Sequence, residues 1–300
     1  MMKIAQYGIG HDHAAGKAKV MRDSNDVEFA GVFEPSADIL AICGKNPSYE
    51  GVAWFKSKEE LLEDATIEAV AVEGKVSQNL EFAQQVIEKG KHVWLDKPAG
   101  DDFEMFSSLL AMAEERNLHV QLGYMFRHHD GYQRIGDWVR EGLLGDVFAI
   151  SAHMPTYADP LSHGQFAEFD GGVFYDLCGH VLDQIVWVLG RPARVRPFMQ
   201  RVVPTSGFVD NGVAVLEYPK AMVVVTISGL MVSPRPRRYE VYGTRGWAIM
   251  EPMEPAQTVR LALDEARSGY QAGEQVIKLE ARPRYVASLQ AFVRTLRNEQ

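Results

Sequence analysis

Two side chains in the second half of the sequence have the types and the spacing that proton transfer requires. Asp176 and His180 lie four residues apart in a predicted helix, so they share one face of that helix. A carboxylate next to a histidine orients the imidazole and stabilises its charged form, which suits a general base. The alternative is a solvated charge pair on the helix surface, which is the commoner use of this spacing.

A lysine in the first half could complement this pair. Lys97 follows the predicted strand His92–Leu95 in the triplet Asp96-Lys97-Pro98. Ligands of open α/β sheets bind just outside the carboxyl ends of the strands, and a partly desolvated lysine there can stabilise a developing alkoxide or relay a proton. From the residues alone, a surface lysine paired with Asp96 is the commoner outcome.

A glycine turn near the N-terminus predicts nucleotide binding. Gly8-Ile9-Gly10-His11-Asp12-His13 joins a predicted strand to a predicted helix and matches the fingerprint G-x-G-x-x-G, except that His13 replaces the last glycine. Glu34, at the end of the next strand, would accept hydrogen bonds from a ribose and repel a 2′-phosphate, which favours NAD over NADP. The alternatives are an ordinary loop and a solvated Glu34. The predicted cofactor-binding residues are Gly8, Ile9, Gly10, His11, Glu34, Asp96 and Lys97.

Neither the histidines nor the cysteines predict a metal site. His11 and His13 cannot converge on one ion without a further ligand, and the nine histidines form no recognisable ligand set. Cys43 and Cys178 lie far apart, which excludes a disulfide framework and a zinc ribbon and fits a reducing cytoplasm. We therefore expect no metal ion.

The order of the predicted elements divides the chain into two domains, residues 1–123 and 124–300. In the first, strands alternate with helices, which predicts a Rossmann-like, doubly wound parallel sheet. In the second, strands predominate around one strong helix, which predicts an α+β domain with a mostly antiparallel open sheet. The predicted helices of the second domain are Gly172–Leu189 and Arg284–Arg297, and its predicted strands are Val147–His153, Ala193–Val203, Gly212–Glu217, Ala221–Ser228 and Tyr239–Gly243.

Composition excludes some partners. The net charge of the 300 residues is −9, so the chain lacks the cationic surplus with which proteins bind nucleic acids or anionic membranes. The most apolar stretch, Ala221–Val232, is shorter than the roughly 20 residues of a membrane span. With no signal-peptide pattern at the N-terminus, we expect a cytoplasmic protein.

Together these motifs resemble the Gfo/Idh/MocA oxidoreductase family, named for glucose–fructose oxidoreductase and inositol dehydrogenase. The resemblance covers nearly the whole chain. It is carried by the glycine turn, Glu34, Gly90–Val93, Asp96–Pro98, Tyr124–Arg127, Glu141–Gly145, Gly171–His180 and Tyr239–Gly246. The sequence departs from the family pattern at Asp96, where glutamate is usual, at Gly74-Lys75, where Thr-Pro is usual, at Asn79, where histidine is common, and at Cys178, where glycine is frequent.

The resemblance implies a hydride transfer that depends on NAD, with NADP less favoured, and a sugar, sugar acid or polyol as substrate. It assigns general-base chemistry to His180, orientation of His180 or of the sugar to Asp176, and stabilisation of an oxyanion to Lys97. It also implies a homodimer or homotetramer. Candidate substrate-binding residues are Arg127, His153, Tyr157, His163 and Gln165. Two alternatives remain: NAD-dependent glycoside cleavage, and a non-catalytic nucleotide-binding regulator.

Overall fold

The protein consists of two compact units, and both ends of the chain belong to the first. The computed structural model describes residues 1–158, 166–280 and 282–298. The first unit comprises Met1–Met125 and Pro283–Gln300, and the second comprises Phe126–Arg282. The sequence analysis predicted domains of residues 1–123 and 124–300, which leaves Pro283–Gln300 in the other unit.

The first unit is a five-stranded parallel sheet flanked by helices. Its elements are β1 (Met2–Tyr7), α1 (Ala14–Asp23), β2 (Val27–Phe33), α2 (Ala37–Cys43), α3 (Lys58–Leu62), β3 (Ala69–Val72), α4 (Val76–Glu88), β4 (His92–Leu95), α5 (Phe103–Glu115) and β5 (Val120–Leu122). In the strand order β2-β1-β3-β4-β5, β2 lies on one side of β1, and β3, β4 and β5 lie on the other. The switch point of the sheet is therefore at β1. The turn that follows β1 therefore lies where ligands of such sheets bind.

The last helix, α8 (Val286–Leu296), packs on this first unit. Leu289 and Phe292 are buried in one apolar cluster with Ile4 and Trp94. The sequence assigned this helix to the second domain because it follows the second set of strands. Its apolar face is instead covered by residues near the start of the chain, a long-range contact that local patterns do not encode.

The second unit is built on an eight-stranded sheet. Its elements are α6 (Asp130–Arg140), β6 (Val147–His153), α7 (Gly172–Leu189), β7 (Arg194–Gln200), β8 (Asn211–Glu217), β9 (Met222–Ser228), β10 (Arg238–Gly243), β11 (Gly246–Met250), β12 (Thr258–Leu263) and β13 (Gly273–Lys278). The order is β13-β12-β11-β10-β6-β9-β8-β7, and every neighbouring pair is antiparallel except β6 and β9. Helix α7 packs on β8 and β9. The predicted fold class is confirmed.

Several elements were not predicted. The sequence analysis assigned nothing to α2, α6 or β11–β13. Helix α6 carries a detectable signal, because Tyr132, Ile135 and Trp138 are buried at helical spacing. Within the described residues, no helix is long and apolar enough to cross a lipid bilayer.

Candidate functional site

The glycine turn after β1 requires glycine at its first position. Gly8 has a φ of +86°, and a Cβ atom there would lie 2.5 Å from the amide nitrogen of Gly74. The amide of Gly8 donates to the carbonyl oxygen of Phe33 at 2.8 Å, and the amide of His11 donates to that of Glu73 at 3.0 Å. The turn is thereby fixed to the ends of β2 and β3.

Glu34 is directly bonded to this turn. Its Oε2 accepts from the amide of Ile9 at 2.7 Å, and its Oε1 accepts from the amide of Ser36 at 2.8 Å. Burial raises the pKa of Glu34, although these two amides and the positive charge of Lys75 oppose the shift. The carboxylate therefore has a fixed position, and its remaining lone pairs can accept hydrogen bonds from a hydroxylated ligand.

Two backbone donors of the turn remain for a ligand. Within the described residues, the amides of Gly10 and Asp12 have no hydrogen-bond partner. Both belong to the segment that leads into α1, where amides and the helix dipole favour an anion. A cavity of about 380 Å³ opens beside the turn, and Cys43, Lys45 and Tyr49 line its far side. The turn can therefore hold a phosphate-bearing ligand.

Beneath the turn lies a wholly buried charge cluster of Lys17, Glu73 and Asp96. The ammonium of Lys17 is 2.5 Å from Oε1 of Glu73 and 3.0 Å from Oδ2 of Asp96, and the three side chains have no solvent exposure. It also lies 4.4 Å from the centre of the Trp94 ring, a cation–π distance. The cluster joins α1 to the ends of β3 and β4.

The charges in this cluster follow from burial and from the neighbouring groups. Burial opposes the charge of Lys17, but Asp96 and Glu73 outweigh it and raise the pKa of the ammonium. Burial and the charge of Asp96 raise the pKa of Glu73 well above its ordinary value. Burial acts in the same direction on Asp96, yet His11, Lys17 and His13 lower its pKa well below the ordinary value. These shifts favour the charged forms of Lys17 and Asp96 and disfavour the charged form of Glu73.

Asp96 also brings the two histidines of the turn together. Its carboxylate is 3.1 Å from Nδ1 of His13 and 3.5 Å from Nδ1 of His11, and ligand atoms of all three residues lie within 4.8 Å of one another. Asp96 is thus the further ligand that the two histidines lacked in the sequence. Its oxygens, however, already accept from Lys17 and from the backbone amide of Lys97, the latter at 2.6 Å. Nδ1 of His11 likewise accepts from the amide of His13 at 3.1 Å, and the absence of a metal stays a prediction.

Lys97 is a buried residue. It follows β4 directly, its exposed fraction is 3%, and its peptide bond to Pro98 is cis. The alternative of a surface lysine is therefore wrong. The side chain lies at the carboxyl edge of the sheet that also carries the glycine turn and Glu73.

In the second unit, α7 carries Asp176 and His180. His180 is 2% exposed, and its ring centre is 4.9 Å from that of Phe126. Gly172 at the start of α7 has a φ of +51°, and a Cβ atom there would lie 2.3 Å from the carbonyl oxygen of Val209. Glycine at this position therefore lets the backbone of Val209 approach the start of α7.

The candidate substrate-binding residues occupy different environments within the second unit. Nε and Nη2 of Arg127 both donate to the carboxylate of Asp183, the first at 3.0 Å, and burial raises the pKa of Asp183. His153 ends β6, between Thr226 and Arg238 of the neighbouring strands. Tyr157 is 52% exposed. His163 and Gln165 lie outside the described residues.

The sequence analysis missed Lys17 as a part of the site. Its signal was available, because Ala14, Lys17, Ala18 and Met21 follow the spacing of one helix face and are all buried in α1. A lysine on an otherwise apolar face needs a buried counter-charge. Glu73 and Asp96 supply it from distant parts of the chain.

Two family profiles together match most of the chain. Residues 3–124 match the oxidoreductase family with an NAD-binding Rossmann fold, and residues 132–249 match the GFO/IDH/MocA C-terminal domain. The first unit is therefore an NAD-binding Rossmann domain by family. The two matches together cover the glycine turn, Lys97 and the catalytic candidates of α7.

Two relatives of known name act on sugar-like compounds. A dTDP-3,4-didehydro-2,6-dideoxy-alpha-D-glucose 3-reductase from Streptomyces violaceoruber is 29% identical over 233 residues, 77% of this chain and 64% of the relative. The scyllo-inositol 2-dehydrogenase (NADP(+)) IolW from Bacillus subtilis is 26% identical over 188 residues, 62% of this chain and 52% of the relative. The matched regions span less than two thirds of either relative.

The solved structures show the same fold. The UDP-N-acetylglucosamine 3-dehydrogenase GnnA from Acidithiobacillus ferrooxidans superposes with a TM-score of 0.78 at 22% identity, covering 99% of this chain and 89% of that one. The family is assigned from the two profile matches, and the fold is assigned from the superposition. On these grounds the chain belongs to the GFO/IDH/MocA family of oxidoreductases.

Proposed function

We propose that this protein is an NAD-dependent oxidoreductase that transfers a hydride between nicotinamide and the hydroxyl or carbonyl carbon of a sugar, sugar acid or polyol. The observation that carries the proposal is the glycine turn. The amides of Gly10 and Asp12 remain available to a diphosphate, and the carboxylate of Glu34 is fixed beside them by two backbone amides. The two amides fit the diphosphate of a dinucleotide, and the carboxylate fits the hydroxyl groups of its ribose.

The choice of NAD over NADP rests on Glu34. A carboxylate at this position accepts from ribose hydroxyls and repels a 2′-phosphate. Since the relative IolW is named for NADP, both cofactors belong in the assay. The further cofactor-binding residues of the proposal are Ile9, His11, Asp96 and Lys97.

The proposed chemistry assigns one role to each candidate catalytic residue. Bound nicotinamide supplies the hydride acceptor or donor. As the substrate C–H bond breaks, His180 accepts the hydroxyl proton, and Asp176 orients His180 or the sugar. Lys97 stabilises the developing oxyanion. Its burial strengthens that interaction, because an ammonium acts more strongly on a charge in a desolvated site.

The substrate class rests on the relatives. One is named as a reductase of a nucleotide-linked deoxysugar and the other as an inositol dehydrogenase, and both substrates carry hydroxyl or carbonyl groups on six-membered rings. We propose Arg127, His153 and Tyr157 as residues that bind such a ring. Arg127 already donates to Asp183 through Nε and Nη2. It would therefore bind a substrate through guanidinium N–H groups that do not contact Asp183.

A spectrophotometric screen tests the proposal. Polyols, aldoses, sugar acids and nucleotide sugars are offered with NAD⁺ and NADP⁺, and we expect reduction of NAD⁺ with members of one class. Lys97→Met and His180→Gln should each lower kcat about 10²- to 10⁴-fold, whereas the exposed Lys89→Met should not.

Three results would count against the proposed reaction. Absence of hydride transfer across the panel, with cofactor binding demonstrated, contradicts it. Product formation without net NADH identifies glycoside cleavage instead. A biological effect that survives both Lys97→Met and His180→Gln identifies a non-catalytic regulator.

We also propose a cytoplasmic homodimer or homotetramer. All seven residues of the edge strand β7 are exposed, among them Val195, Phe198 and Met199. Exposed apolar residues on an edge strand are suited to association with another copy. Light scattering of the purified protein measures its mass in solution and thereby tests the oligomeric state.

A further inference from the structure

A lysine that the family pattern does not contain stands beside the glycine turn. Lys75 precedes α4, in the turn where the resemblance calls for Thr-Pro. A Cβ atom on Gly10 would lie 3.1 Å from the backbone nitrogen of Lys75 and 3.2 Å from its Cγ. The base of the Lys75 side chain therefore lies against the second glycine of the turn.

In the part of the chain that the structure describes, the ammonium of Lys75 forms no short ion pair. The residue is exposed, and within the described ranges its ammonium has no carboxylate within 4.0 Å. Glu34 is close enough for Lys75 to oppose the rise in its pKa. Both oxygens of Glu34, however, already accept from the amides of Ile9 and Ser36.

Another exposed lysine, Lys45, lines the far side of the cavity beside the turn, whereas Lys75 lies directly against Gly10. The amides of Gly10 and Asp12 are neutral donors, and the nearby Lys17 is held by two buried carboxylates. A flexible ammonium next to these amides supplies the charge that a phosphate group requires. The backbone amide of Lys75 donates to Oε1 of Gln78 at 3.3 Å, which holds the backbone of this turn.

We infer that Lys75 is a cofactor-binding residue whose ammonium pairs with a phosphate of the bound dinucleotide. The inference rests on the proposed function, because it assumes that a dinucleotide occupies the glycine turn. The phosphate belongs either to the diphosphate, which NADH and NADPH share, or to the 2′-phosphate, which only NADPH carries.

Fluorescence titration of NADH and NADPH tests the inference. The variants are Lys75→Met, the charge-preserving Lys75→Arg, and Lys89→Met as a control at the other end of α4, a 13-residue helix. Lys89 is exposed and pairs with the exposed Glu63, so its loss removes the same charge from a distant place. We expect Lys75→Met to weaken binding about tenfold and to reduce its dependence on salt, with Lys75→Arg close to wild type.

Comparing the affinities for NADH and NADPH shows which phosphate Lys75 contacts. Equal weakening for NADH and NADPH assigns Lys75 to the diphosphate, and weakening confined to NADPH assigns it to the 2′-phosphate; both support the inference. If Lys75→Met matches Lys89→Met in affinity and salt dependence for both cofactors, the inference is overturned while the proposed function stands. A wild-type protein that binds neither cofactor overturns both.

Discussion

Replacing Lys17 by methionine is expected to destabilise the first unit strongly. The ammonium lies 2.5 Å from Glu73 and 3.0 Å from Asp96, and none of the three side chains is exposed. Removing one partner of a buried ion pair leaves a charge without water or counter-charge, which costs about 3–5 kcal/mol. Methionine keeps the apolar length of the side chain, so the loss reports the charge rather than a cavity.

The size of this loss should depend on pH with a definite sign. In the wild type the pKa of Asp96 is lowered, so its contribution to stability is present above the unfolded value of about 3.9 and is lost as the pH falls through the folded value. Lys17→Met removes one cause of that lowered pKa. The difference in unfolding free energy between variant and wild type should therefore be greatest near neutral pH and narrow towards acidic pH.

Urea unfolding followed by tryptophan fluorescence measures this difference, because Trp94 lies next to the cluster. Lys19→Met is the matched control. It removes the same charge from the same helix, but Lys19 is 59% exposed and water screens its pair with Asp23, so we expect little loss of stability. Equal losses for the two variants, or a Lys17→Met loss that does not change with pH, would refute the account of the cluster.

Three further predictions concern the first unit. Gly8→Ala should abolish NADH binding in a fluorescence titration, because its Cβ would lie 2.5 Å from the nitrogen of Gly74; retained affinity would contradict this. Phe292→Ala should cost about 3–5 kcal/mol in urea unfolding, and an unchanged first unit would show that α8 is dispensable. Burial lowers the pKa of His11 to about 4, so wild-type stability should fall by roughly 3 kcal/mol between pH 6.5 and 4. His11→Gln should flatten that profile, and an identical slope would refute the assignment.

The predictable parts of this protein were those that depend on neighbours in sequence. β4, β6 and α7 have the predicted bounds, because apolar periodicity and flanking turn residues mark them locally. The glycine turn was recognisable for the same reason. The order of strand, turn, helix and strand also indicated Glu34, but not its hydrogen bond to the amide of Ile9.

The remainder depends on contacts between distant segments. Asp96 and His13 are 83 residues apart, and only the packing of α1 against the ends of β3 and β4 brings them to 3.1 Å. The burial of Lys17 and Lys97 depends on the same packing. A single sequence offers no direct signal for such contacts, and a charged residue is expected on the surface unless its counter-charge is known.

The position of α8 has a consequence for how the chain acquires its structure during synthesis. Residues that cover Ile4 and Trp94, among them Phe292, leave the ribosome after the whole of the second unit. At roughly 5–20 residues per second, the interval between Met125 and Phe292 lasts about 10–30 s. Throughout that time the part of the parallel sheet that α8 covers stays without this helix. A chaperone that shields nascent apolar surface would therefore act on the first unit for longer than on the second.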